Sequence, residues 1–134
     1  KRIVNEIALD VDTDPMARLL ALLRDCIDFG GPDSESSILI AVSEIAQNAL
    51  TAHRRNRVGE PVSVLIMSPP LQIVVRDHGG GFNLTASMLE APHPAATNGR
   101  GLVLARAFVP DMTIEFTQAG TDVVLPITSC RYRY

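Results

Sequence analysis

"VVRDHGGGFN", residues 74–83, ends an apolar run on the carboxylate of Asp77, and three glycines follow one residue later. The two valines belong to a β-rich run, "LQIVVRD", residues 71–77, which reads as a strand. Gly79 and Gly81 leave the backbone free to take φ > 0, or to let another group approach it closely. A surface turn needs neither so many glycines nor a carboxylate fixed at the strand end. In isolation the stretch also fits a plain loop with a capping residue, so its meaning depends on what the chain brings to it.

The neighbouring segments fix the architecture around this strand. "PVSVLIM", residues 61–67, is a second β-rich run, and "SPP" between the two predicts a hairpin. "MTIEFT" and "TDVVLPIT", residues 112–117 and 121–128, predict another hairpin around "QAG". "IVNEIALDV", residues 3–11, predicts a first strand. After it, "DTDP" offers cap residues with Pro15 at a first helical position. Met16, Leu19, Leu20, Leu23 and Ile27 then recur at helical spacing until Gly30-Gly31. A second helix is expected from "PDSES" to about Arg55, with Ile38, Val42, Ile45 and Ala49 as its core stripe. "GRGLVLARAFV", residues 99–109, predicts a third helix ended by Pro110, and residues 82–98 read as a loop. The closing "RYRY" is expected to fray. The order predicts one α+β domain over 1–134, a two-layer sandwich with helices on one face of a mixed, mostly antiparallel sheet.

Composition narrows the function. At 134 residues the chain can bury one core, and 46% hydrophobic with 20% charged residues is globular rather than disordered. A formal charge of −3 argues against a general nucleic-acid binder, which needs a basic face. No apolar run reaches the roughly 20 residues that span a bilayer. The chain shows no signal-peptide pattern and begins with Lys1 instead of Met, so it reads as cut from something longer, and its cysteine usage fits a reducing cytoplasm. Cys26 and Cys130 form no C-x-x-C pair, and Cys26 falls on an apolar stripe as a buried free thiol.

Two further stretches carry chemistry. In "EIAQN", Glu44 and Asn48 stand four residues apart, so they project side by side from the shoulder of the second helix. Alone, that pair is common on solvated helices. In "NGRGLVLA", residues 98–105, Gly99 and Gly101 at a helix start expose backbone N–H groups, where the helix dipole favours an anion. Arg100 adds a positive charge between them. The pattern is neither a P-loop nor a dinucleotide fingerprint, because Leu104 stands where the third glycine would be. Asp77, which can only accept hydrogen bonds, suits a donor such as the exocyclic amine of adenine.

In this order and at this spacing the three stretches resemble the GHKL (Bergerat-fold) ATPase superfamily. Its E-x-x-x-N box is matched by "EIAQN", its D-x-G-x-G box by "DHGGG" and its G-x-G-L-x-L box by "GRGLVL". Thr121 in "AGTDVVLP" resembles the family's threonine near the adenine. The resemblance implies ATP and Mg²⁺ as ligands. Asp77 would accept from the adenine amine beside Gly79 and Gly81, and Asn48 would bind the metal. Gly99, Arg100, Gly101 and Leu102 would hold the phosphates, and Glu44 would act as the base.

Within the superfamily the chain looks most like the anti-sigma-factor serine/threonine protein kinases. The segment between the glycine boxes is short and lacks the phenylalanine-bearing motif of histidine kinases, and "VSEIAQNAL" is closer to the serine kinases' box. Arg18 resembles an arginine with which such kinases grip an antagonist protein, although a solvated surface charge reads the same way. The partners implied are a small antagonist protein and a sigma factor, and a homodimer is compatible. The alternatives are the catalytic domain of a sensor histidine kinase and a non-catalytic module that sequesters a partner. The family's N-A-x-x-H is stretched here to N-A-L-T-A-H. His53 therefore faces away from Glu44 and is read as a helix-end or half-buried histidine outside the site. His78 and His93 are expected to be solvated.

Overall fold

The computed structural model describes residues 1–11, 13–78 and 97–134, the side chains of 97–102 excepted. Strand β1 (Arg2–Leu9) leads to helix α1 (Met16–Cys26), and a two-residue strand β2 (Ile27–Asp28) follows directly. Helix α2 (Pro32–Arg55) precedes the hairpin β3 (Val62–Ser68) and β4 (Gln72–Asp77). Helix α3 (Thr97–Phe108) is followed by the hairpin β5 (Thr113–Phe116) and β6 (Thr121–Pro126), and the chain closes on β7 (Arg131–Tyr132).

The main sheet has five strands in the order β1-β3-β4-β6-β5, and each neighbour pairs antiparallel. Its inner face follows from the period of two. Val62, Val64 and Ile66 of β3, Ile73 and Val75 of β4, and Val123 and Leu125 of β6 all join the main core. Leu65, Val74 and Val124 alternate onto the other face as a small separate cluster. The helices cover one face only, with Leu19 and Leu23 of α1, Ile38, Val42 and Ile45 of α2, and Ala105 of α3 in the same core. This is the two-layer α+β sandwich that the sequence predicts.

Pro32 opens α2 at a first-turn position, where its missing N–H costs nothing, and Asp33 and Glu35 favour the positive end of the dipole. His53, Arg54 and Arg55 sit at the negative end. The helix stops where Arg57 turns left-handed at φ 55, and Val58 N–H donates to the His53 carbonyl at 2.9 Å.

The chain end departs from expectation. Instead of fraying, β7 pairs with β2, matching Ile27 with Tyr132 and Asp28 with Arg131. Arg133 N–H donates to the Cys26 carbonyl at 2.7 Å, and Tyr132 Oη donates to the Val4 carbonyl at 3.2 Å. The backbone of β2, left open after α1, supplies the partners that an isolated tail would lack. The Gly30 N–H and the Arg131 guanidinium hold the Asp28 carboxyl below its ordinary value. Cys26 is a buried free thiol as expected, and its burial pushes the thiol up.

Ile73 is fully buried on the central strand, between the helices and the neighbouring strands. Ile73→Ala is expected to cost about 2–5 kcal/mol in urea unfolding, at an unchanged denaturant slope. A loss below about 1 kcal/mol would place Ile73 outside the core that holds the sheet to the helices.

Candidate functional site

Register brings the first two site residues together. Asp77 ends β4, Thr121 begins β6, and the two are direct partners across the ladder. Both face the helix layer, and both are buried. Asn48 comes from α2 above them, 8% exposed. With Ile45, Ala49, Val75 and Val123, these three polar residues line one cavity of about 10 Å³. That is far below the roughly 300–1,000 Å³ of ordinary ligand pockets, so a nucleobase requires the walls to part or must lie across the mouth.

Glu44 lies one turn back along α2 and is half-buried. It lines a separate, open groove of about 330 Å³ between α1 and α2, with Leu20, Arg24, Leu39, Ile40 and Ser43 among its walls. Gly99, Arg100, Gly101 and Leu102 fall in the first half of α3, which starts at Thr97, two residues before the sequence places it. The first four N–H groups of a helix lack intrahelical acceptors. Those of residues 97–100 are therefore the ones available to an anion. Gly79, Gly81 and His93 lie outside the described residues, as does most of the expected loop 82–98. Arg18 is exposed, as expected, and its guanidinium donates to the Ala8 carbonyl at 2.8 Å.

His53 overturns its sequence reading. The ring is fully buried, not half-buried, and lies against Asp77. Nδ1 stands 2.9 Å from the Glu60 carbonyl, which can only accept, so this nitrogen carries the ring proton. Nε2 then accepts the backbone N–H of His78 at 3.0 Å and lies 3.3 Å from Asp77 Oδ1. A proton on Nε2 would convert that last contact into a salt bridge. The sequence held a signal for this placement, because Ile45, Ala49 and His53 recur every four residues along the buried stripe. Facing away from Glu44 means facing the sheet, where β4 delivers Asp77. His78, expected in solvent, is partly buried, with Nε2 at 3.1 Å from Ser63 Oγ and Nδ1 at 3.4 Å from Glu60 Oε2.

Gly120 was also missed. A Cβ at this position would lie 1.8 Å from the Asp77 carbonyl oxygen and 3.1 Å from the His78 Cα. Only a residue without a side chain lets the β5–β6 turn close over the end of β4. Next along the strands, outside the site, Arg76 donates to both carboxylate oxygens of Asp122 at 2.8 and 2.9 Å. This bidentate pair raises the Arg76 pKa and locks the β4–β6 register one residue before Asp77.

A family profile described as the histidine kinase-like ATPase domain matches residues 11–127. The chain belongs to that family. No curated protein matches it. The GHKL-type superfamily, its fold and an ATP-binding kinase-like or ATPase activity follow from this membership. Among the described residues, no helix is long and apolar enough to cross a membrane.

Gly120→Ala should lower ATP affinity at least tenfold, because the strand end that carries Asp77 must shift. It should also cost about 1–3 kcal/mol of stability through overpacking. Gly59→Ala is the control, since a Cβ there meets nothing within 4 Å. Equal ATP affinities for the two variants, measured by calorimetry, would show that the close approach at Gly120 does not shape the site.

Proposed function

We propose that this domain is an ATP-dependent serine/threonine protein kinase of the anti-sigma-factor type, acting in bacterial partner switching. It phosphorylates a small antagonist protein and binds a sigma factor as its second partner. The reading is carried by the convergence of Asn48, Asp77 and Thr121 on one cleft, with Glu44 a single turn away in an open groove. The short segment between the two glycine boxes and the sequence "VSEIAQNAL" support the serine-kinase type.

On this reading Asp77 accepts a hydrogen bond from the adenine amine, Thr121 lies beside the base, and Gly79 and Gly81 let the base come close. The first-turn N–H groups of α3 and the Arg100 guanidinium hold the phosphates. The Asn48 amide oxygen is the hard ligand that Mg²⁺ prefers, and one protein ligand suffices because water and phosphate oxygens supply the others. Among the described residues no group of three His, Cys, Asp or Glu converges as an alternative metal site. When bound, the metal neutralises charge building on the phosphates.

Glu44 orients a serine or threonine hydroxyl of the partner and takes its proton. The hydroxyl oxygen forms the new bond to the γ-phosphorus while the bond to the ADP oxygen breaks. Glu44 can serve this role because it is half-buried and accessible to a chain entering the α1–α2 groove. Arg18, on the exposed face of α1, meets the partner away from the nucleotide.

Adenine selection tests the cleft. Guanine presents a carbonyl where adenine has its amine, which would set an acceptor against the buried Asp77. An unsatisfied buried polar group costs about 1–3 kcal/mol, so ATP should bind at least about tenfold tighter than GTP, and Asp77→Asn should lose most of the ATP affinity. Equal calorimetric affinity for ATP and GTP would remove Asp77 from base recognition.

Transfer tests the chemistry. Glu44→Gln should keep ATP affinity and lose about 10²-fold or more in single-turnover rate, whereas Asn48→Ala should lose both. Label transferred from ATP to the antagonist should survive acid, as phosphoserine does, and Arg18→Glu should weaken transfer at unchanged ATP affinity. Acid-labile label on a histidine-bearing partner would favour a histidine kinase instead. Tight partner binding that ignores ATP, with no transfer, would favour a sequestering module.

A further inference from the structure

Asp77 can read a base only if the strand end that carries it is held in place, and the described residues show what stands against it. His53 approaches from the last turns of α2 and reaches Asp77 Oδ1 at 3.3 Å. Four contacts fix His53 in turn. Its backbone carbonyl accepts from Val58 N–H at 2.9 Å, Nδ1 donates to the Glu60 carbonyl at 2.9 Å, Nε2 accepts from His78 N–H at 3.0 Å, and its ring meets the His78 ring edge-on at 6.4 Å. The ring therefore cannot turn without breaking its hydrogen bonds to two backbone groups, and each such loss is costly. The charged and titratable groups around it are Asp77 at the end of β4, His78 next to it, and Glu60 ahead of β3.

We propose that His53 is a positioning residue of the nucleotide site: by accepting the His78 N–H it fixes the backbone at the end of β4, and so the place of Asp77 and the preference for adenine. It touches no substrate itself and acts through the backbone of His78, the residue next to Asp77. The inference rests on the nucleotide-binding reading of the cleft. An all-apolar side chain of similar size would fill the space, but it would leave the His78 N–H without its acceptor. The role therefore lies in Nε2, not in the volume of the ring.

Two substitutions separate these contributions. In His53→Asn the amide nitrogen stands near the place of Nδ1 and can still donate to the Glu60 carbonyl, but nothing reaches the place of Nε2. In His53→Gln the longer side chain brings an amide group to the place of Nε2. ATP and GTP affinities are measured by calorimetry for parent and variants, after urea unfolding has shown which variants fold. His53→Asn is expected to weaken ATP binding about tenfold while leaving GTP nearly unchanged, so that the ATP/GTP ratio collapses. His53→Gln is expected to restore a substantial part of that ratio. At saturating ATP, the single-turnover transfer rate of both variants should stay within about threefold of the parent, because base recognition and not chemistry is disturbed.

Imidazole ¹⁵N spectra of the parent provide a readout that needs no variant to fold. His53 should show a protonated Nδ1 and an unprotonated Nε2, and the Nε2 signal should move on addition of ATP but not of GTP at the same concentration. Folded variants that keep the parent's ATP/GTP ratio would overturn the inference alone, as would an Nε2 signal indifferent to ATP. A parent that binds no ATP would overturn the nucleotide reading of the cleft and this inference with it.

Discussion

A carboxylate buried to 3% exposure at the end of a central strand constrains everything around it. Polar groups in a protein interior are costly unless partners surround them. Asp77 draws on several parts of the fold. The last turns of α2 supply His53, the start of β6 supplies Thr121 as the register partner, and Gly120 lets the β5–β6 turn approach within reach of the Asp77 backbone. The last turns of α2, the register of β4 against β6 and a glycine at 120 thus all meet at one strand end. The Arg76–Asp122 pair guards the same register from the opposite face of the sheet. A slip of one residue would turn Asp77 to that face and break the pair at once.

Helix α2 carries the other half of the arrangement. Its 24 residues give it a length of about 36 Å, enough to run from the open groove beside α1 to the closed end of the sheet. Along that length the same helix does two kinds of work. Ile38, Val42, Ile45 and Ala49 hold it to the sheet, and His53 continues their stripe with a polar group where the stripe meets Asp77. Asn48 stands at the flank of the stripe and is buried, so substitution there disturbs packing and site together. Glu44 stands farther out and is half-exposed, so its chemistry can be altered with little effect on the fold.

What the sequence discloses follows the range of the interactions involved. Strands and helices with a clear period of 2 or 3.6 were legible in number and order, including both hairpins and the core stripes of the first two helices, whereas the pairing of β1 with β3 and of β4 with β6 was not. The β2–β7 ribbon was not, because two-residue strands have no period and their pairing joins residues about a hundred positions apart. Asn48, Asp77 and Thr121 were singled out from motif order as candidates, and the structure brings them to one cleft. His53 was misread because its direction was judged against Glu44 on its own helix, while its partner comes from the sheet beneath. Gly120 was legible only as the glycine of the "QAG" turn, since its close approach is to the carbonyl of a residue more than forty positions earlier.

The two cavities differ in a way that bears on the division of labour. The cleft of Asn48, Asp77 and Thr121 is closed and small, whereas the groove of Glu44 is wide and open, and α2 forms a wall of each. A small molecule recognised by a few converging polar groups suits the first, where low dielectric strengthens each hydrogen bond. A hydroxyl delivered by another protein needs the second, because a folded partner can present a segment only to a surface it can reach. On the kinase reading the nucleotide and the acceptor thus approach α2 from different sides, and their reacting groups meet between Asn48 and Glu44. Those residues stand one turn apart on one helix, so the rigidity of α2 itself fixes the geometry of transfer.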